Sequence, residues 1–127
     1  MLGRGYLTWQ KYSHVKYAEV VVDVELILDH GCKIDIPQDT NPSWSRGIKY
    51  GFMVFQEAAQ GFPVMNDNMC VQVEKVHGHP VDTTIMCMAY ATFHAIEDAM
   101  KLDVANAFTF DENTGKFSIA GSVQDVP

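Results

Sequence analysis

Positive charge is scarce in this sequence. Nine Lys and Arg face sixteen Asp and Glu, for a formal net charge of −7. An acidic surface repels phosphate backbones, so the balance disfavours direct nucleic-acid binding, and no stretch gathers enough Lys and Arg to reverse this locally. Cysteine is sparse as well: Cys32, Cys70 and Cys87 are odd in number and widely spaced. That excludes a closed disulfide framework and paired zinc spacing, and it points to a reducing, cytoplasmic compartment. No run of about 18 apolar residues occurs, which excludes a membrane-spanning helix. The opening residues lack the apolar core of a secretory signal. Common catalytic and nucleotide motifs are missing too. There is no G-x-x-x-x-G-K-[ST], no G-x-S-x-G and no dinucleotide fingerprint, since Gly3-Arg4-Gly5 is too short and follows no strand.

What remains is enough for one domain. The 127 residues are 47% apolar and 20% charged, so a packed core is possible and a disordered chain is not implied. Residues 5–10 suggest a short first strand. Over 17–28, Val20, Val22, Val24, Leu26 and Leu28 alternate with a mixed set, the mark of a half-buried strand. His30-Gly31 reads as a turn, after which Cys32, Ile34 and Ile36 alternate as an antiparallel partner strand. Ile48, Phe52, Phe55 and Ala59 recur at helical spacing over 44–60, with Gly61 suited to the position after the helix. Gly51 inside that helix costs about 1 kcal/mol against Ala and calls for a close packing contact. Met69, Val71 and Val73 mark another strand. Asp82 reads as the N-cap of a second helix over 83–101, with Ile85, Ala89, Phe93, Ile96 and Met100 as its apolar stripe. Phe108, Phe110, Phe117 and Ile119 flank 111–115 as a hairpin. The expected architecture is α+β: a mostly antiparallel sheet covered on one face by two helices.

The order of these elements and several residues resemble domain IV of translation elongation factor G and its relatives. Tyr17-Ala18 followed by Val20 and Val22 matches the family's first strand. Glu57-Ala58 and Gly61 match the end of its first helix, and Val71 and Val73 its next strand. The most specific stretch is His79-Pro80-Val81-Asp82-Thr83-Thr84 with Met86, Ala91 and Ala95, which is similar to the family's His-x-Val-Asp and two hydroxyl residues before a helix. The resemblance covers 17–101, leaving 105–122 as an added C-terminal hairpin. It implies a left-handed βαβ crossover, against the usual rule. It also implies that the matched His lies on a loop at the domain tip, near transfer RNA on the ribosome. The family's glycine-rich stretch before the first strand is replaced by Ser13-His14-Val15-Lys16.

Three constellations carry possible chemistry. His77, His79, Asp82 and Thr83 form a tip loop that can contact a partner, a ribosome or another protein. Two solvated loop histidines beside a helix start account for the same residues, and the further ligands of a metal site are not supplied. His94, Glu97 and Asp98 at i, i+3 and i+4 can project together as half of a metal or acid/base site, or form a solvated helix face. Cys70 and Cys87 can meet in space, or be inert buried thiols. The leading expectation is a stand-alone, non-catalytic binding module with no cofactor and no metal. A small metal-assisted or acid/base enzyme using His77, His79, His94 and Glu97 is the alternative, and a self-associating structural protein is the third.

Overall fold

The computed structural model describes residues 1–61 and 68–120. Its strands are β1 (Leu2–Lys11), β2 (His14–Leu26), β3 (Lys33–Asp35), β4 (Met69–His77), β5 (Phe108–Asp111) and β6 (Lys116–Ile119); its helices are α1 (Pro42–Ala58) and α2 (Ile85–Met100), with a short 3₁₀ turn at Ala105–Ala107. The first four strands make one sheet in the order β1-β2-β4-β3, and β5-β6 is a separate hairpin. The β1/β2 and β2/β4 pairs are antiparallel, the second with a bulge between Val21 and Val22, whereas β3 and β4 are parallel. The parallel pair is joined through α1, as a βαβ crossover requires.

Period-2 alternation explains the layering. Ala18, Val20, Val22 and Val24 of β2 and Met69, Val71 and Val73 of β4 point inward and are buried. Their neighbours Glu19, Val21 and Asp23 fall on the other face. Both helices cover the apolar face in one continuous core. α2 lies on β1 and β2, and α1 packs along α2.

Glycine lets these backbones meet. A Cβ on Gly5 would stand 1.9 Å from the carbonyl oxygen of Ala91, and one on Gly3 2.1 Å from that of Ala95. On α1, a Cβ on Gly51 would lie 2.2 Å from the Ala89 oxygen, which is the close contact that this mid-helix glycine called for. Gly3-Arg4-Gly5, meaningless as a nucleotide motif, is a seat for a helix.

Several expectations are corrected. The segment Cys32 to Ile36 does not return as an antiparallel partner of β2. Only three residues, Lys33–Asp35, form a strand, and they run parallel to β4 on its far side. The loop after β2 carries the chain across the end of β4: Ile27 N–H donates to the Asn68 carbonyl at 2.9 Å, and Asp29 and Gly31 take left-handed φ of 66° and 73°. The first strand is longer than 5–10 because it pairs with β2 along its whole length. α1 starts earlier, at Pro42, capped by the Asn41 side chain, which accepts from Ser43 N–H at 2.9 Å. Its C-cap is Ala59, so Gly61 lies beyond the helix end. Asp82 is not the N-cap of α2. Thr84 is, accepting from Cys87 N–H at 3.2 Å, and the helix begins two residues later than expected. The reason is local: Asp82 is engaged in the turn before the helix. The hairpin stands as expected for 108–119; residues 121–122 of the expected 105–122 unit lie outside the described residues. No helix among the described residues is long and apolar enough to cross a membrane.

Candidate functional site

The loop between β4 and α2 is braced from beneath. Thr83 is buried, and its hydroxyl donates to the Tyr17 carbonyl at 2.6 Å while accepting from His79 N–H at 2.7 Å. Tyr17 N–H in turn donates to the Asp82 carbonyl at 3.3 Å, and Asp82 and Thr83 N–H both reach the His79 carbonyl. Thr83 is therefore an anchor that ties the loop to β2 rather than a surface it presents. Gly78 sits against Trp44, whose ring would lie 2.7 Å from any added Cβ. Above these ties, His79 and Val81 stand out, with 58% of the His79 side chain and 83% of Val81 exposed.

Thr83→Val keeps the shape but leaves the His79 N–H and the Tyr17 carbonyl without their hydroxyl partner. We expect a loss of about 1–3 kcal/mol in urea unfolding and faster hydrogen exchange at His79. An unchanged exchange rate at His79 would mean the hydroxyl does not hold the loop.

The two loop histidines do not converge. His79 Nδ1 lies 3.2 Å from Asp82 Oδ2 and 3.4 Å from Val81 N–H, so this ring atom serves its own loop. His77 ends β4, and its Nδ1 is 3.5 Å from Glu19 Oε1 on the open face of the sheet. Glu19 is the centre of a network: Arg4 Nε bonds its Oε2, and Lys75 Nζ lies 3.5 Å from its Oε1. The Arg4 guanidinium also stacks 4.4 Å from the Tyr6 ring centroid. Between the loop and the strands is a shallow depression of about 460 Å³, lined by Thr8, Val15 and Tyr17 together with His77, Gly78, His79 and Asp82. A larger groove of about 580 Å³ lies on the same sheet face toward β3, lined by Asp23, Glu25, Asp35 and Glu74 together with Lys33. It is remote from the loop, and its carboxylates repel anions.

The hydrogen bond from Arg4 holds the Glu19 carboxyl below the usual carboxylate range, against the opposing effect of burial. A depressed carboxyl stabilises the fold above its unfolded-state pKa, and the benefit disappears as pH falls through the folded-state value. Glu19→Gln is thus expected to lower the urea midpoint at neutral pH, with the gap to wild type closing on acidification below the ordinary carboxylate range. A gap that stays constant with pH would remove the ion network from the account.

Sequence reasoning missed Glu19, Arg4 and Tyr6. Alternation alone places them on the open face, but only the strand register sets Glu19 opposite both Tyr6 and His77.

The helix constellation does not form a shared site. His94 and Glu97 are mostly buried, not a solvated face, because β5 covers them. Asp98 turns away, accepting from Arg4 N–H on the outer edge of β1 at 3.0 Å. His94 lies on the helical side of the sheet and His77 on the open side, so the two do not share a pocket. Cys70 and Cys87 do not meet either. Cys70 Sγ lies near the Gly31 carbonyl and Cys87 Sγ near Thr84, so no disulfide joins them. Among the described residues, no group of three or more His, Cys, Asp and Glu is placed to hold a metal ion.

No family model and no curated protein matches the sequence. Among solved structures, a crystal structure of a Thermus thermophilus protein is similar over 74% of this chain, with a TM-score of 0.56 and 22% identity. The chain spans only 14% of that protein's length, and at this identity the likeness is one of fold alone.

Proposed function

We propose that this chain is a stand-alone, non-catalytic binding module built like domain IV of elongation factor G. In this reading the β3–α1–β4 connection is the family's left-handed crossover, and the 77–83 loop is its tip. The carrying observation is the bracing of that loop. The backbone and hydroxyl ties run inward to β2 or within the turn, Trp44 of α1 packs against Gly78, and His79 and Val81 are left facing out. A loop ordered before it meets a partner pays less conformational entropy on binding. The module would act by presenting a fixed shape to a ribosome or to another protein. Asp23, Glu25, Asp35 and Glu74 line the groove at the β3 end of the open face, away from the loop, and Glu19, nearer the loop, is paired with Arg4 and Lys75, so the overall charge of −7 weighs less at the tip.

The test is co-sedimentation with purified ribosomes at low and at moderate salt, comparing wild type with a His79→Ala, Val81→Asp double variant. Both substituted side chains are exposed, so the variant is expected to fold. Binding by wild type that the variant loses supports the ribosomal reading. No binding by wild type under either condition discards it, and binding unaffected by the variant removes the loop from the interface.

A further inference from the structure

The two edges of the sheet are finished differently. On the β1 side, the Asp98 carboxylate accepts from Arg4 N–H, and Trp9 Nε1 and Lys11 Nζ fasten the hairpin backbone at 2.8 and 2.7 Å. The chain thereby guards that edge against pairing. On the other side, β3 covers only part of β4. Cys70, Val71 and Gln72 pair with β3, but β4 continues to His77. Past Gln72, no described residue bonds the outer side of the β4 backbone. The free groups can be placed. Arg4 N–H points away from β2, so in the antiparallel alternation Val20 and Val22 bond β1, while Glu19 and Val21 bond β4. Their partners His77 and Lys75 face β2, and Val76 between them turns its N–H and C=O outward. Glu74 is the extra residue of the bulge, since Val22 pairs with Val73 and Val21 with Lys75. A bulge bends its strand, so 75–77 leave the line of β3 and a gap opens beside them.

A hollow of about 200 Å³ lies in that gap, lined by Val76 together with Pro37, Asp39, Thr40, Asn41 and Trp44 from the chain that leads from β3 into α1. Val76 pairs with the inward Val20 and packs on the core, so its side chain is on the helical side of the sheet. A residue added opposite Val76 shares that side and enters the hollow beside Pro37 and Trp44, and its two neighbours point to the open face. On that face Asp35, where β3 stops, and Glu74 line the acidic groove. Asp35, Asp39 and Glu74 are exposed, and none is ion-paired among the described residues. The opposing charge nearby, Lys75, is directed at Glu19, 3.5 Å away.

We propose that the free edge of β4 takes up an extended, basic peptide segment of another protein, which adds a strand beside Val76. Unpaired N–H and C=O groups in a row call for another backbone, and strand addition to a sheet edge supplies one. The hollow and the carboxylates then set the side chains. An apolar residue faces Pro37 and Trp44, and Lys or Arg on either side of it faces Asp35 and Glu74. The same carboxylates repel a phosphate backbone, so the occupant is a polypeptide and not a nucleic acid. Strand pairing gives the affinity, and the alternation of apolar and basic residues gives the selectivity. The site shares no residue with the exposed pair His79 and Val81, so it stands whether or not the chain meets a ribosome.

The probe is a short, end-blocked peptide of alternating valine and lysine, titrated into the whole chain at low salt and followed by amide resonances and hydrogen exchange. Saturable shifts are expected over 73–77, and exchange of the Val76 N–H is expected to slow about tenfold at saturation, the scale of one hydrogen bond. A peptide with glutamate in place of lysine is expected to bind about tenfold more weakly or less. Methylating the amide nitrogens of the valine–lysine peptide keeps its charges but blocks the ladder, and protection of Val76 is expected to vanish. Asp35→Asn with Glu74→Gln changes two exposed side chains and is expected to weaken the valine–lysine peptide about threefold to tenfold. The His79→Ala, Val81→Asp variant is expected to bind it as wild type does. No saturable shift up to about 1 mM peptide overturns the proposal. So does equal binding of the glutamate peptide, binding that leaves Val76 exchange unchanged, or undiminished binding by the Asp35, Glu74 variant. Loss of binding in the His79, Val81 variant would place the peptide on the loop and overturns it equally. Should the Asp35, Glu74 variant fail to fold, the comparison of peptides on wild type decides alone.

Discussion

Gly5→Val is expected to cost about 3 kcal/mol or more of unfolding free energy, the upper end of what overpacking a core does. The obstacle is backbone, not a side chain that can rotate away. A Cβ on Gly5 would sit 1.9 Å from the Ala91 oxygen and 2.5 Å from the Ala95 nitrogen. α2 cannot lift to make room, because α1 packs along its other flank through Gly47 and Gly51, and a Cβ on Gly47 would itself meet the Ile85 oxygen at 2.3 Å. Lifting α2 would also pull it off the inward valines of β2. The valine's two extra methyls have nowhere to go, and its preference for strand conformation does not compensate. Gly61→Ala is the control: none of the described residues lies within 4 Å of its added Cβ, so the urea midpoint should stay within experimental error of wild type. A Gly5→Val protein with the wild-type midpoint would mean that α2 does not lie on β1.

The same contacts explain what could and could not be read in advance. The alternation in β2 was legible because the inward valines recur at every second position, with Glu19, Asp23 and Glu25 among the residues between and beside them. β3 was not, since three residues give no period, and its partner is chosen by a loop that crosses the end of β4. Gly51 announced itself by being costly in a helix, whereas Gly3 and Gly5 lie in a strand, where their packing role has no periodic signal. Asp82 and Thr84 are both good caps, but Asp82 is held in the preceding turn, its N–H on the His79 carbonyl and its own carbonyl on Tyr17 N–H, and Thr84 is left to cap the helix. The loop between β4 and α2 was legible from His77-Gly78-His79-Pro80, but Thr83 looked available and is an internal tie. His94 was the larger misreading. Helical geometry put it away from the apolar stripe, and nothing in the helix itself says that a distant hairpin folds over that flank.

Phe93 is where the three units meet, and Phe93→Ala is expected to cost about 3–5 kcal/mol, the range for emptying a buried phenylalanine site. Its ring is fully buried, edge-on to Phe55 of α1 at 5.6 Å, 5.7 Å from Phe108 of the hairpin and 5.0 Å from the His94 ring. Neighbours on three different elements cannot all relax into one cavity, because each is also fixed by its own backbone ladder or helix. The loss therefore includes dispersion contacts as well as transfer free energy. Phe93→Leu separates these contributions. It keeps most of the buried area but loses the edge-to-face pairs, and about 1 kcal/mol is expected. If the three units share this core, both variants unfold in a single urea transition, with the hairpin reported by Trp9 fluorescence in a Trp44→Phe background. A separate early transition at Trp9, with the rest of the chain unchanged, would show instead that the hairpin contributes nothing to the stability of the sheet and helices. The aromatic contacts through Phe93 would then be too weak to couple them.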